Sequence, residues 1–593
     1  MKKFLNKIWN SGVSAMKQQL KQLLGLSMVI SSIILVIAII SMVISLFSSS
    51  STIEPNSIVK IKFDYTINDR PNTDPFTNFK LGSIEPNNSK NLYQVIKSIN
   101  NAKNNPNVNG IILDLSNFQS PGITSTKEIR DALNIFKNSG KFIYTYSTLL
   151  TQTAYYLASV SDSIFLYPMG GIDFSGLSST SPFFTETLSE IGIQPEVIRH
   201  GKFKAAVEPF LLTRMSKENK EQTSLLLNDI WGSMLQDIST SRGITIENLN
   251  KLADDPIVSM IATKSVEKGL IDDLLHQDEF DDFIARKLNA AVEDLSFINL
   301  HQIEDTQELS NNKIAIVYAE GEINGSEDGI SEEYATILKD IYEDDDISAI
   351  ILRVNSPGGS ALISDIILSQ IKSLKEKKPL IVSMGNYAAS GGYYISCVSD
   401  KIFASPTTIT GSIGVFGLFF TGEELLKNKM RLSFDNVKTN KFADFGDSFI
   451  LPIENLSDDE KSMIQIGIEK VYSDFINHVS EGRKMSLNRV DSIGQGRVWS
   501  GTQARKLGLV DEIGGLQDAV LYASQYTDSM DFSVVEFPKS KDGLELIFDI
   551  TTQLKSFIGH KNIEPNISNI IQKELIHMQG IQARMPIGFK INE

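Results

Sequence analysis

A single cysteine, Cys397, stands in a chain of 593 residues. One cysteine has no intrachain partner, so a disulfide framework and any CxxC metal or redox site are excluded. Net positive charge is also lacking: the formal charge is -16. Non-specific nucleic-acid binding needs a basic field, so no nucleic-acid partner is expected. Histidine is scarce, with six in all: His200, His276, His301, His478, His560 and His577. Hydrophobic content is 41% and charged content 22%, ordinary for a globular protein. The length exceeds what one hydrophobic core organises, so two or more domains are expected.

Charge is absent altogether from Leu23 to Phe47. A helix of that length crosses a ~30 Å hydrocarbon core. Lys2, Lys3, Lys7, Lys17 and Lys21 precede it with no acidic residue among them. The positive-inside rule then predicts a cytoplasmic segment at 1–22, a transmembrane anchor at 23–47 and the remainder across the membrane. A cleaved signal peptide is the alternative, but it would have a shorter apolar region and a small-x-small cleavage site.

Beyond the anchor the chain repeats itself. Gly110-Ile111-Ile112-Leu113 matches Ala349-Ile350-Ile351-Leu352, and Gly269-Leu270-Ile271-Asp272 matches Gly508-Leu509-Val510-Asp511, both at an offset of 239. Lys202-Phe203 matches Lys441-Phe442 at the same offset, while Val160-Ser161-Asp162 matches Val398-Ser399-Asp400 at 238. So steady an offset predicts two copies of one fold, at 55–295 and 310–535, followed by an extension at 536–593. Short β-branched runs such as Ile314–Tyr318, Ala349–Val354 and Leu380–Met384 predict buried strands. Amphipathic stretches such as Ile363–Leu374 lie between them, so each copy is read as α/β with a largely parallel sheet. Within the extension, Ile547–Ile558 has the pattern of an amphipathic helix.

Three segments of the second copy could carry chemistry. Asn355-Ser356-Pro357-Gly358-Gly359-Ser360 follows a predicted strand, and its glycine pair lets backbone N–H groups face an oxyanion or serve a plain turn. In Ala388-Ala389-Ser390-Gly391-Gly392-Tyr393 the serine is either a nucleophile beside the Gly391 N–H or a helix N-cap. Gly411-Ser412-Ile413-Gly414 either lines a substrate groove, through Ser412 and Gly414, or packs as a tight loop.

A reactive serine needs a base. No histidine falls between Ser390 and Arg431, where a Ser-His-Asp arrangement of this kind would carry one. A buried lysine can serve instead, because burial lowers its pKa. Lys202 has a repeat counterpart in Lys441, whereas Lys204 faces Ala443, and Ser390 faces Gln152. The two chemical residues are therefore split, one in each copy, as in a duplicated enzyme that keeps one composite site.

Phe203-Lys204-Ala205-Ala206-Val207-Glu208-Pro209-Phe210 and Ala389-Ser390-Gly391-Gly392-Tyr393 together resemble the long form of the signal peptide peptidase A (protease IV) family. The Ser-Pro-Gly-Gly turn, Thr410–Gly414, Gly496-Arg497-Val498-Trp499-Ser500-Gly501 and the following Gly508–Asp511 are similar to that family too. The similarity covers nearly the whole chain and is weakest in the C-terminal extension. Ala205 departs from it, since serine is common there.

The resemblance implies tandem crotonase/Clp-protease-like domains, a homo-oligomeric, bowl-like assembly (a tetramer in the family) and signal peptides as substrates. It also implies a single-pass protein of the inner membrane with its catalytic part on the periplasmic side. Lys204 would act as general base and Ser390 as nucleophile, with Gly391 and Gly358 or Gly359 as oxyanion donors. No cofactor or metal is needed. A crotonase-type acyl-CoA enzyme and a catalytically inert membrane scaffold are the alternatives.

Overall fold

The computed structural model describes residues 53–71, 90–303, 310–326, 329–448, 450–527, 531–539, 580–585 and 591–592. The expected anchor at 23–47, the segment before it and the expected helix Ile547–Ile558 lie outside the described residues. Among the described residues no helix is long and apolar enough to cross a membrane.

The first copy comprises β1 (Ser57–Lys62), β2 (Val108–Asp114), β3 (Phe142–Leu150), β4 (Ser163–Ile172), β5 (Ser178–Ser179), β6 (Gln194–His200), β7 (Asp273–Leu274) and β8 (Phe297–Asn299). The second comprises β9 (Lys313–Glu320), β10 (Ile347–Ser356), β11 (Gly358–Ser360), β12 (Leu380–Ala389), β13 (Lys401–Ala404), β14 (Ile409–Gly411), β15 (Val415–Thr421), β16 (Val498–Ser500), β17 (Glu512–Ile513) and β18 (Ser533–Phe537). Two further strands, β19 (Gly580–Arg584) and β20 (Ile591–Asn592), belong to the extension. The edge strands β8 and β18 carry each copy a few residues past the boundaries 295 and 535 read from the sequence.

The central sheet of the first copy runs β7-β4-β3-β2-β1-β8, with parallel neighbours throughout. That of the second runs β17-β13-β12-β10-β9-β18, also parallel, so the strand order is the same. Details repeat with it. The Tyr155 hydroxyl donates to the Leu270 carbonyl at 2.9 Å, as that of Tyr393 does to Leu509 at 2.9 Å. Lys137 pairs with Asp162 and Lys375 with Asp400, each at 3.0 Å.

Burial on both sheet faces accounts for the apolar runs. In β9, Ile314, Ile316 and Tyr318 enter one apolar cluster while Ala315, Val317 and Ala319 enter another. The long helix Asp458–Arg483 starts on a capping box between Ser457 and Glu460, which satisfies two backbone N–H groups left unpaired at its start.

Contacts join the copies in several places, among them Thr124 to Thr407 at 2.8 Å and Ser500 to Asp229 at 2.6 Å. β6 pairs antiparallel along its whole length with β15 of the second copy, from Gln194 opposite Thr421 to His200 opposite Val415. Elsewhere Arg353 of β10, fully buried, reaches Asp69 at 2.9 Å and Glu128 at 2.7 Å, both from the first copy.

Candidate active site

Ser390 occupies the corner between β12 and the helix Gly391–Ser396. Its backbone has φ 56° and ψ -114°, a combination that costs a non-glycine residue energy and persists only where the surroundings enforce it. The enforcement is visible: Ala389 pairs with Gly411 of β14, and the Ser390 N–H donates to the Gly411 carbonyl at 2.8 Å. The side chain makes no capping hydrogen bond, so the N-cap alternative does not describe it.

Lys204 arrives from the other copy. It follows β6, whose pairing with β15 delivers it beneath Ser390. Its Nζ donates to Ser390 Oγ at 2.8 Å, and to the carbonyl and hydroxyl oxygens of Ser412, each at 3.1 Å. All three side chains are fully buried. Among the described residues no carboxylate pairs with Lys204. Burial alone therefore acts on it, and holds its ammonium well below the usual lysine range.

The backbone around Lys204 is held from several directions. The Phe203 N–H donates to the Gln495 carbonyl at 2.9 Å, and Gln222 Nε2 to the Phe203 carbonyl at 3.2 Å. Arg199 donates to the Lys204 carbonyl at 3.1 Å. Gly496, at φ +77°, lies so close that a methyl there would stand 2.6 Å from Lys204 Cβ.

The other expected site residues fall as follows. Gly391 opens the helix beside Ser390, and Gly358 and Gly359 form the start of β11, at φ +97° and +154°. A methyl on Gly358 would come 2.7 Å from the Gly391 nitrogen, so the two glycines form one cradle. Ser412 and Gly414, read from the sequence as either lining a groove or packing as a tight loop, pack beside Lys204. Ser412 turns inward to Lys204, and Gly414 packs near the Lys204 stem and against Gly496. Sequence reasoning missed Ser412 as a lysine partner, and also Gln222 and Gln495; the non-glycine φ of 51° at Ser412 becomes visible only in the fold.

The residues with no expected role are accounted for. In the first copy Gln152 takes the Ser390 position, and its amide is tied to Ser175 and Gly176. Ala443 lies exposed on the surface of the second copy. His200 stacks on Tyr472 with ring centroids 3.7 Å apart and meets Glu469 at 2.8 Å, and it makes no hydrogen bond to Ser390.

A buried serine in contact with an unpaired amine, beside a glycine cradle, has the parts of a serine-type hydrolase. Comparison with known proteins defines which one. The model of peptidase family S49 matches residues 135–290 and 372–529, one stretch in each copy. Protease 4 of Haemophilus influenzae is 34% identical over 487 residues, which cover 78% of this chain and 78% of that protein. Protease 4 of Salmonella typhi is 31% identical, covering 81% of this chain and 80% of that one. The chloroplastic serine protease SPPA of Arabidopsis thaliana is 29% identical, covering 84% and 74%. The chain belongs to peptidase family S49, as a serine-type peptidase with a duplicated α/β fold. That membership leaves the acyl-CoA alternative without support.

Proposed function

We propose that the protein is a membrane-anchored endopeptidase that cleaves with a dyad of Ser390 and Lys204 and degrades signal peptides left in the membrane. The observation that carries the dyad is the 2.8 Å contact between Lys204 Nζ and Ser390 Oγ in a fully buried setting. An unperturbed lysine has a pKa of ~10.4, so only about a thousandth would be neutral at pH 7.5. Burial without an anionic partner raises that fraction, which supports Lys204 as the base.

In this reading neutral Lys204 takes the Ser390 proton as Oγ attacks the peptide carbonyl. The oxyanion develops in the cradle of Gly391 and the Gly358–Gly359 turn. Lys204 then gives the proton to the leaving amine, and water hydrolyses the acyl-enzyme with Lys204 again as base. Ser412 orients the amine through its two oxygen contacts. The apolar run 23–47 would tether the site at the membrane face where spent signal peptides reside, and a homo-oligomer would enclose it.

The test uses the full chain in detergent with a serine-directed fluorophosphonate and a signal-peptide substrate. Wild type should be labelled at Ser390 and cleave the peptide, and Ser390→Ala should do neither. Lys204→Ala and Lys204→Arg should both lose cleavage, since a guanidinium cannot release its proton in a protein. Lys202→Ala should retain it. An active Lys204→Ala enzyme would sink the dyad.

A further inference from the structure

Between the helix Leu487–Ile493 and β16 the chain makes a turn in which Gln495 has φ +53° and Gly496 φ +77°. Glycine adopts that region freely, whereas glutamine does so only where its surroundings hold it. The turn touches both sides of the lysine site. On one side the Phe203 N–H donates to the Gln495 carbonyl at 2.9 Å. There a methyl on Gly201 would come 2.6 Å from the Gln495 carbonyl oxygen, and one on Gly496 would come 2.7 Å from Lys204 Cα. On the other side the Gly496 N–H donates to the Ile413 carbonyl and the Ser412 N–H to the Arg497 carbonyl, each at 2.7 Å. One turn therefore sets the backbone of Lys204 against that of Ser412, whose two oxygens receive the amine.

Two residues grip the turn. Tyr472, buried on the helix Asp458–Arg483, donates its hydroxyl to Asp491 Oδ1 at 2.6 Å and accepts the Gln495 N–H at 3.4 Å. Gln495 Nε2 donates to the same Asp491 oxygen at 2.5 Å. Gln495 is thus held by backbone and side chain together. Burial and the Asp491 carboxylate push the Tyr472 hydroxyl above the usual tyrosine range, so it remains a donor. The other face of Tyr472 carries the ring of His200, which ends β6 and meets Glu469 on the helix of Tyr472. Tyr472 accordingly braces the strand that delivers Lys204 and the turn that receives it.

Resting on the dyad reading above, we propose that Tyr472 and Asp491 are positioning residues for cleavage. They lock the Gln495–Gly496 turn, and the turn fixes where the flexible lysine side chain begins. With that origin fixed, Nζ stays on Ser390 Oγ and the two Ser412 oxygens and stays dry. With the turn released, Nζ drifts and water reaches it.

The test uses the full chain in detergent, with the signal-peptide substrate and the fluorophosphonate, below the thermal midpoint of each variant. Tyr472→Phe keeps the ring on His200 and removes the hydroxyl. It should lower kcat roughly tenfold to a hundredfold, as small displacements of a reacting group do, with KM within about twofold. Its labelling limb should also move to higher pH, because a wetter Lys204 returns toward the ordinary lysine range. Asp491→Ala should do the same, while Asp491→Asn, which keeps an acceptor oxygen for both donors, should recover the rate to within about threefold of wild type. Tyr155→Phe, which loses an equally buried hydroxyl bond to Leu270 in the first copy, should leave rate and limb unchanged. If Lys204→Ala is inactive but Tyr472→Phe keeps the wild-type rate and limb, positioning is refuted while the dyad stands. If Tyr472→Phe loses rate only in step with its folded fraction, with the limb unmoved, its role is structural and the proposal is overturned. An active Lys204→Ala enzyme removes the dyad and the positioning role with it.

Discussion

Among the described residues Lys204 has three oxygen partners and no anion, and this has consequences for pH that a paired lysine would not show. Its cleavage rate should rise with pH through the depressed pKa, as a single limb. Stability follows the same group with a definite sign. Between the lowered folded pKa and the unfolded value of ~10.4, the unfolded chain binds more protons, so this lysine costs stability at low pH and the cost fades as pH rises. Each unit of depression corresponds to ~1.4 kcal/mol. Thermal midpoints of wild type and Lys204→Met, measured from pH 6 upward, should therefore diverge in favour of wild type as pH rises. A difference that stayed flat with pH would mean Lys204 is not depressed. Ser390 shows a second residue-scale feature, a strained backbone held by the Gly411 carbonyl.

At the scale of elements, the site depends on loops that approach one another closely. Gly496 tests this. Alanine there would bring its methyl 2.6 Å from Lys204 Cβ and 2.7 Å from the Lys204 nitrogen. Gly446 is a matched control, with φ +79° against +77° and nothing within 4 Å of an added methyl. Both substitutions carry a backbone penalty of roughly 1–2 kcal/mol. Only Gly496→Ala should move Lys204, so fluorophosphonate labelling should drop by about tenfold or more there and hold steady in Gly446→Ala. What the sequence made legible follows the same division. The runs Ile314–Tyr318 and Leu380–Met384 proclaim buried strands because burial is written locally in β-branched residues. Ser390 and Lys204 stood out because the repeat left each without a like partner. The pairing of β6 with β15, the inward turn of Ser412 and the docking of β19 were not legible. Each depends on contacts between segments far apart in the chain, and none has a local periodicity.

For the whole molecule, the proposed dyad divides the site between two copies and so makes their relative placement part of the chemistry. β6 carries Lys204 across to the second copy, and the Arg353 cluster fastens the opposite region. Arg353 is fully buried, and its guanidinium also donates to Ser383 Oγ at 2.9 Å. Asp69 accepts in addition from Asn355 at 2.7 Å, and Glu128 from the Leu516 N–H at 2.7 Å, so each carboxylate is tied to the second copy twice. Removing one partner from a buried ion cluster leaves unpaired charge in a dry place, at a cost of about 3–5 kcal/mol. Arg353→Ala should therefore lower the thermal midpoint and let the copies loosen. Fluorophosphonate labelling of Ser390 should begin to fall at a lower temperature than in wild type, because Lys204 and Ser390 sit on opposite sides of the loosened contact. Replacing the whole cluster together, Asp69→Asn, Glu128→Gln and Arg353→Met, removes the unpaired charge and should recover most of the midpoint. Labelling should return with it. If Arg353→Ala leaves both the midpoint and labelling unchanged, the cluster is dispensable and the β6–β15 pairing, with the other bonds between the copies, registers the two halves of the site.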